Sequence, residues 1–261
     1  MKLSRFCPLI VAGFALAFPA IASAAPLNVV NPSFEDISGE SPYNEFTFGP
    51  LNGWQLHDPT NVTNGGAGPA FWIGTLDPTP GTWFTSGAPD GDRVGIAFLY
   101  SNQYATGEFG LRQVLADTLA PNTTYTLQVD VGNIASGTGI DNQYFNLNGF
   151  PGYRIDFVAG GVVLDSDINT LSIAEGEWGT STVTYTTGVT HAQLGQALEI
   201  RLVNLNVIDP GAPTADIEVD FDNVRLNATP AIPEPTSALL LIPAAALLIS
   251  RRQRSSSGAS R

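Results

Sequence analysis

The sequence predicts an all-β protein, folded as a two-sheet antiparallel β-sandwich of the jelly-roll kind. Three observations lead there. Apolar residues alternate with polar ones along several short segments, and no stretch of the body sustains a 3.6-residue apolar period. Runs rich in β-branched and aromatic residues return at roughly 10-to-15-residue intervals, separated by Gly, Pro and Asn. The clearest run is Thr123 to Val131, where Tyr125, Leu127, Val129 and Val131 share one face and Thr124, Thr126, Gln128 and Asp130 the other. Ile155 and Phe157 repeat the pattern. So do Val183 and Tyr185, opposite Thr182, Thr184 and Thr186, and then Leu198, Ile200 and Leu202. In the last strand Ile217, Val219 and Phe221 occupy odd positions, whereas Val224 and Leu226 occupy even ones. The parity slips at Asp222-Asn223, as it does at a β-bulge, and one carboxylate is turned out of register. Trp54 and Phe221 are expected in the core. The glycine-rich runs 64–68 and 136–139 read as loops.

The two ends read differently from the body. Lys2 and Arg5 precede an apolar run that closes on Ala22-Ser23-Ala24, the pattern of a secretory signal peptide over residues 1–24. The sole cysteine, Cys7, lies inside this leader, so a processed chain has no disulfide, thiolate ligand or cysteine nucleophile. At the other end Pro233-Glu234-Pro235 is followed by a short apolar stretch, Ala238 to Ile249, and then by Arg251, Arg252 and Arg254. A bilayer-spanning helix needs about 20 apolar residues, so the stretch is marginal as a permanent anchor. This order of motifs resembles the PEP-CTERM sorting signal of Gram-negative bacteria, and residues 231–261 are assigned to it. The resemblance implies signal peptidase and exosortase as partners, transient inner-membrane insertion as a short transmembrane helix, and release to the cell surface or the extracellular matrix.

Residues 25–230 form the expected folded domain. The chain carries 24 acids against 11 bases, for a net charge of −13. All the acids except Glu234 lie in this domain, which keeps five arginines and no lysine and so stands at −18. Such a surface repels phosphate backbones and excludes nucleic acid as a partner. It suits cations and neutral ligands, and polysaccharide is the neutral partner expected.

A second resemblance covers the domain. Asn31-Pro32-Ser33-Phe34-Glu35 opens it, the pair Gly53-Trp54 follows, Leu119 to Leu127 lies mid-chain, and Phe221-Asp222-Asn223-Val224-Arg225-Leu226 closes it. This ordered set resembles the galactose-binding-like jelly rolls found among carbohydrate-binding modules. The resemblance implies that the first and last strands lie together. It also implies one structural calcium ion, held by an N-terminal glutamate and a C-terminal acid, here Glu35 and Asp222. Asp92 and Asp36 are lesser candidates. Oxygen ligands on an acidic surface suit that ion. A second acidic run, Asp165 to Asn169, lacks the glycine and the closing acid of an EF-hand and reads as a solvated turn.

Sugar binding would need exposed aromatic faces near polar neighbours; Trp72, Trp83, Tyr100, Tyr104 and Tyr144 are the candidates. Catalysis finds no motif. His57 and His191 are the only histidines and neither has metal-ligand spacing, no Gly-x-Ser-x-Gly elbow is present, and the domain has no lysine for Schiff-base chemistry. No catalytic residue is therefore assigned. The expectation is a non-catalytic, weakly glycan-binding or structural module of the exopolysaccharide layer. The alternatives are a purely structural surface protein and a polysaccharide hydrolase.

Overall fold

A computed structural model of the chain describes residues 23–49, 51–66, 71–78, 81–101 and 107–231, the side chains of 66, 71 and 72 aside. The expected leader, the sorting motif (Pro233, Glu234, Pro235, Arg251, Arg252, Arg254) and Tyr104 lie outside the described residues. Residues Ser23–Pro230 form one compact unit. Among the described residues no helix is long and apolar enough to cross a membrane, and the expected membrane stretch, Ala238 to Ile249, lies outside them.

The described residues form fifteen strands. The first five are β1 (Ala25–Pro26), β2 (Ser41–Tyr43), β3 (Phe46–Phe48), β4 (Gln55–His57) and β5 (Phe71–Leu76). Next come β6 (Val94–Leu99), β7 (Phe109–Thr118), β8 (Thr123–Asn133), β9 (Gly137–Thr138) and β10 (Tyr144–Phe145). The last five are β11 (Tyr153–Ala159), β12 (Val162–Ile168), β13 (Glu177–Thr186), β14 (Ala197–Asn204) and β15 (Ile217–Pro230). The larger sheet runs β13-β8-β15-β6-β5-β3-β2 with β1 beside β15; the smaller runs β12-β11-β14-β7-β4. Every pairing is antiparallel, and the predicted sandwich is what forms.

Strand alternation decides which residues enter the core. Tyr125, Leu127, Val129 and Val131 of β8 meet Leu198, Ile200 and Leu202 of β14, with Ile155 and Phe157 of β11, between the sheets. Trp54 and Phe221 join this core as expected. The bulge is present too: pairing between β15 and β8 shifts between Asp222 and Arg225, and Asn223 takes φ of 51°. Asparagine tolerates this left-handed conformation better than most residues. The run Asp165 to Ile168 belongs to β12 and is not the solvated turn expected. Asp167 is buried in place there, accepting hydrogen bonds from the Tyr153 and Ser181 hydroxyls (2.8 and 2.6 Å).

The N-terminal motif seats beside the last strand, as the resemblance implied. Ala25 pairs with Ala228, and the Val224 N–H donates to the Pro32 carbonyl at 2.9 Å. Phe34 is fully buried at a positive φ of 57°, with its ring stacked on Trp54 at 5.3 Å. Its ring also fills the space above Gly95, where a Cβ would lie 2.5 Å from it. Phe34→Ala is expected to lower the unfolding free energy by about 3–5 kcal/mol, the range for emptying a large aromatic site. Urea unfolding of the two proteins checks this; a loss below about 1 kcal/mol would show that the motif does not clamp the core.

Candidate acid site on the larger sheet

The outer face of the larger sheet does not meet water as an exposed face would. Val94, Ile96 and Phe98 of β6 point away from the main core and build a second apolar cluster with Phe46, Leu76, Trp83, Phe84, Ile134, Phe145 and Leu147. Loop residues therefore cover this face. β15 presents its even positions to the same side, so the alternation that buries Ile217, Val219 and Phe221 places Glu218, Asp220 and Asp222 opposite them. Asp216 precedes them in the same parity. Three acids thus follow one another along the strand face, with Asp216 just before the strand begins.

Glu218 and Asp220 lie deepest, 3% and 0% exposed. Glu218 is in register with Phe98, and Asp220 is flanked by Ile96 and by Gly132 of β8. Gly132 is needed here: a Cβ would strike the Trp178 and Phe84 rings at 2.7 and 2.8 Å, and those rings stack at 4.2 Å. Among the described residues no group donates a hydrogen bond to either oxygen of Asp220 or to Oε1 of Glu218. The two carboxyl groups are neighbours on the strand face, and the charge on one disfavours the charge on the other. Burial pushes Glu218 up to about 8. Burial and then the Glu218 charge push Asp220 well above the carboxylate range. Burial therefore favours the protonated form of both groups.

The row ends differently on its two sides. Asp222 is fully buried, and burial pushes it up to about 8 although the Asp90 and Asn223 N–H groups donate to its oxygens at 2.8 and 2.6 Å. Asp216 is only partly buried and accepts the Ser101 N–H at 2.8 Å. Tyr100 stands beside this end, edge-on to Phe98 with ring centroids 4.7 Å apart. Burial raises its phenol, with Asp216 the next contribution and Glu218 a smaller one.

The expected aromatic residues fall at different distances from the acid row. Tyr100 borders it, and Trp72 is in register with Phe98. Trp83 is fully buried in the apolar cluster and offers no exposed stacking face, because Phe46 and Phe145 pack edge-on against it. Tyr144 is 62% exposed on the small β9–β10 ribbon. Glu218, Asp220 and Asp216 were missed. The visible signal was an acid at each even position from 216 to 222 of a strand that is otherwise apolar, where acids are disfavoured.

The expected calcium ligands converge only in part. Glu35 Oε1 accepts the Asp92 and Arg93 N–H groups, both at 2.8 Å, and Asp222 takes the Asp90 N–H, so both acids hold the same loop, 90–93. Asp92 contributes its backbone, and Asp36 turns away to Ser38 and Asn52. Among the described residues no three His, Cys, Asp or Glu side chains gather to hold a metal ion. These carboxylates are of the oxygen chemistry that suits calcium, but backbone N–H groups already seat them.

Comparison with known proteins corrects the functional expectation. A family model described as HpiC1-like, HpiC1 cyclase, matches residues 25–227. A cyclase from Fischerella sp. TAU of known structure is 35% identical, with a TM-score of 0.67 over 80% of this chain and 99% of that one. The Stig cyclase Fisc from the same organism, solved with (3Z)-3-(1-methyl-2-pyrrolidinylidene)-3H-indole, is 34% identical over 80% of this chain and 100% of its own, also with a TM-score of 0.67. A further Fischerella sp. TAU cyclase, solved with 4-(1H-indol-3-yl)butan-2-one, is 34% identical with the same TM-score and covers 80% and 99%. A search of curated proteins found no match. The non-catalytic glycan-binding or structural matrix module and the polysaccharide hydrolase are thereby overturned: the similar proteins are cyclases, and the chain is an enzyme of that kind.

The raised acids also fix a pH dependence. Between the ordinary carboxylate range near 4 and about 8, the folded state holds protons that the unfolded chain releases. Stability from these groups is therefore full at low pH and falls as pH rises across that window. Asp220→Asn is expected to flatten this fall and to raise the melting temperature at pH 8.5, an effect on the order of a few kcal/mol. Thermal melts from pH 5 to 8.5 check it; identical slopes in the two proteins would exclude a buried protonated pair.

Proposed function

The chain belongs to the HpiC1-like cyclase family, and we propose that its buried Glu218–Asp220 pair donates the proton that starts ring closure in an unsaturated substrate carrying an indole. The pair itself carries this reading: two fully buried carboxyl groups without an outside donor, held above neutrality inside an aromatic cluster. A general acid working at neutral pH must still hold its proton there, and shelter from water keeps that proton for the substrate. The new C–H bond forms from a substrate π bond and leaves a cation, a second π bond closes the ring as a C–C bond, and loss of a proton restores neutrality. No redox partner is needed, and the product is an isomer of the substrate.

The surroundings support the rest of the reading. Phe98 and Tyr100 stand over the acid row and the Phe84–Trp178 stack adjoins Gly132, so aromatic faces and edges meet a flat substrate ring and a developing cation. The similar Fischerella cyclases were solved with indole compounds, which makes an indole the substrate class to test. Glu218→Gln and Asp220→Asn are expected to lower cyclisation of an indole bearing a pendant alkene by about 10²–10⁴-fold. Binding of 4-(1H-indol-3-yl)butan-2-one, followed by tryptophan fluorescence, should stay within a few-fold. Activity retained in both variants, or no isomeric product from the wild type, would overturn the proposal.

Two proposals concern its surroundings in the cell. A calcium ion outside the reaction would bind at the corner where Glu35 holds loop 90–93, and it would stabilise the fold. Chelation is then expected to lower the melting temperature of the wild type and to leave Glu35→Gln unmoved; an unchanged wild-type melt overturns the site. The leader ending at Ala24 and the Pro233-Glu234-Pro235 motif with Arg251, Arg252 and Arg254 support export from a Gram-negative cell through signal peptidase and exosortase.

A further inference from the structure

We propose that the outer face of the smaller sheet carries a second ligand site, separate from the acid row, where Arg112, Arg201 and His57 receive the carboxylate of a small apolar acid. Three of the five arginines in residues 25–230, Arg112, Arg154 and Arg201, belong to strands of this sheet. Leu111, Ile155, Ile200 and Leu202 point into the main core, so strand alternation turns these arginines the other way. Gln55, Arg112, Arg201 and Asp156 are successive register partners across β4, β7, β14 and β11, and form one row. His57 stands in the next row, in register with Gly110 and through it with Val203. Gly110 puts no side chain between them.

The charges on this face are unevenly matched. Arg154 pairs with Glu108 and, at 2.8 Å, with Asp156, which lies on the far side of Arg201 from Arg112. Arg201 gives its Nε–H to Glu199 at 2.7 Å. Arg112 has no carboxylate partner among the described residues. Its Nη2 donates to the neutral Gln55 amide at 3.2 Å, and its Nε is buried without an acceptor. Yet Arg112 and Arg201 are direct cross-strand neighbours, a placement that sets Cβ atoms about 4.5–5.5 Å apart and makes like charges repel. An anion between them removes that repulsion and takes the unused N–H. His57 adds a second unpartnered group: it is 9% exposed, and its Nε2 is buried with no hydrogen-bond partner. Burial, and next the Arg201 charge, hold His57 below its usual value, so Arg201 is the charge that it feels most.

Charge and shape select the ligand. The three arginines face three acids, Glu108, Asp156 and Glu199, so a single negative charge is more readily added here than a double one in a domain of −18. A guanidinium fork also matches the planar carboxylate. Val114, the next residue of β7 on the same face as Arg112, is 55% exposed and offers apolar surface to the body of the ligand.

Titrating sodium hexanoate, sodium acetate and inorganic phosphate into the full chain tests the site. The signal is the nitrogen–proton NMR resonance of Arg112 Nε, assigned by its loss in Arg112→Lys. Hexanoate is expected to shift it saturably and to bind at least about 5-fold tighter than acetate, through its apolar tail. Val114→Ser should remove that advantage and leave acetate binding unchanged. Arg112→Lys keeps the charge and loses the fork, so calorimetry is expected to show hexanoate bound at least about 10-fold more weakly. Arg225→Lys, on the larger sheet, should bind hexanoate as the wild type does. An Arg112 resonance that no carboxylate moves, an unchanged affinity in Arg112→Lys, or phosphate bound more tightly than hexanoate overturns the proposal. Each of these readings is independent of cyclisation, so failure here and failure of the Glu218–Asp220 reading are told apart.

Discussion

Stripping water from an isolated carboxylate costs several kcal/mol even after the protein relaxes, and at both oxygens of Asp220 and at Oε1 of Glu218 no hydrogen-bond donor among the described residues offsets that cost. The protein meets the constraint by keeping the groups protonated. That single choice sets the character of the site. A protonated carboxyl group surrounded by Phe98, Ile96 and the Phe84–Trp178 stack is tolerable in the fold where an ionised one would not be. The same groups ionised would destabilise the sandwich, so the site and the stability of the fold are linked through protons.

The strand that carries the acids also carries part of the main core. β15 lies between β8 and β6, and its odd positions Ile217, Val219 and Phe221 hold the sheets together while its even positions face the second cluster. A slip of one residue would exchange the two faces, driving the acids into the core and the apolar residues out of it. The bulge after Asp222 ends the acid row and returns Val224 and Leu226 to the core. The N-terminal motif locks this point, since Pro32 accepts the Val224 N–H and Phe34 packs under Gly95. The opposite sheet pairs its charges instead: Arg154 with Glu108 and Asp156, and Arg201 with Glu199.

Much of the scaffold was legible from residues. The alternating runs around Thr123, Ile155, Val183, Leu198 and Ile217 all form strands with the expected faces inward, because a period of two is a local property of an extended chain. The bulge at Asp222-Asn223 was legible for the same reason. Asp165 to Ile168 was misread, because the Tyr153 and Ser181 hydroxyls that allow Asp167 to be buried in a strand come from β11 and β13. Trp83 was misread in the opposite sense, since only the fold shows Phe46 and Phe145 closing over it. Glu218 and Asp220 were visible as acids, yet an acid on a strand face ordinarily points to water.

The sequence by itself determined the sandwich class, the inward face of its long strands, the bulge in the last strand and a body of −18 without lysine. Each of these follows from neighbouring residues or from counting. Only the tertiary structure decided which carboxyl groups are chemically different from the rest. A carboxyl pKa depends on what excludes water from it, and the groups that do so for Glu218 and Asp220 come from β6, β8 and the loop holding Trp83 and Phe84. Those segments are distant along the chain and meet only when the larger sheet has formed and its outer face is covered.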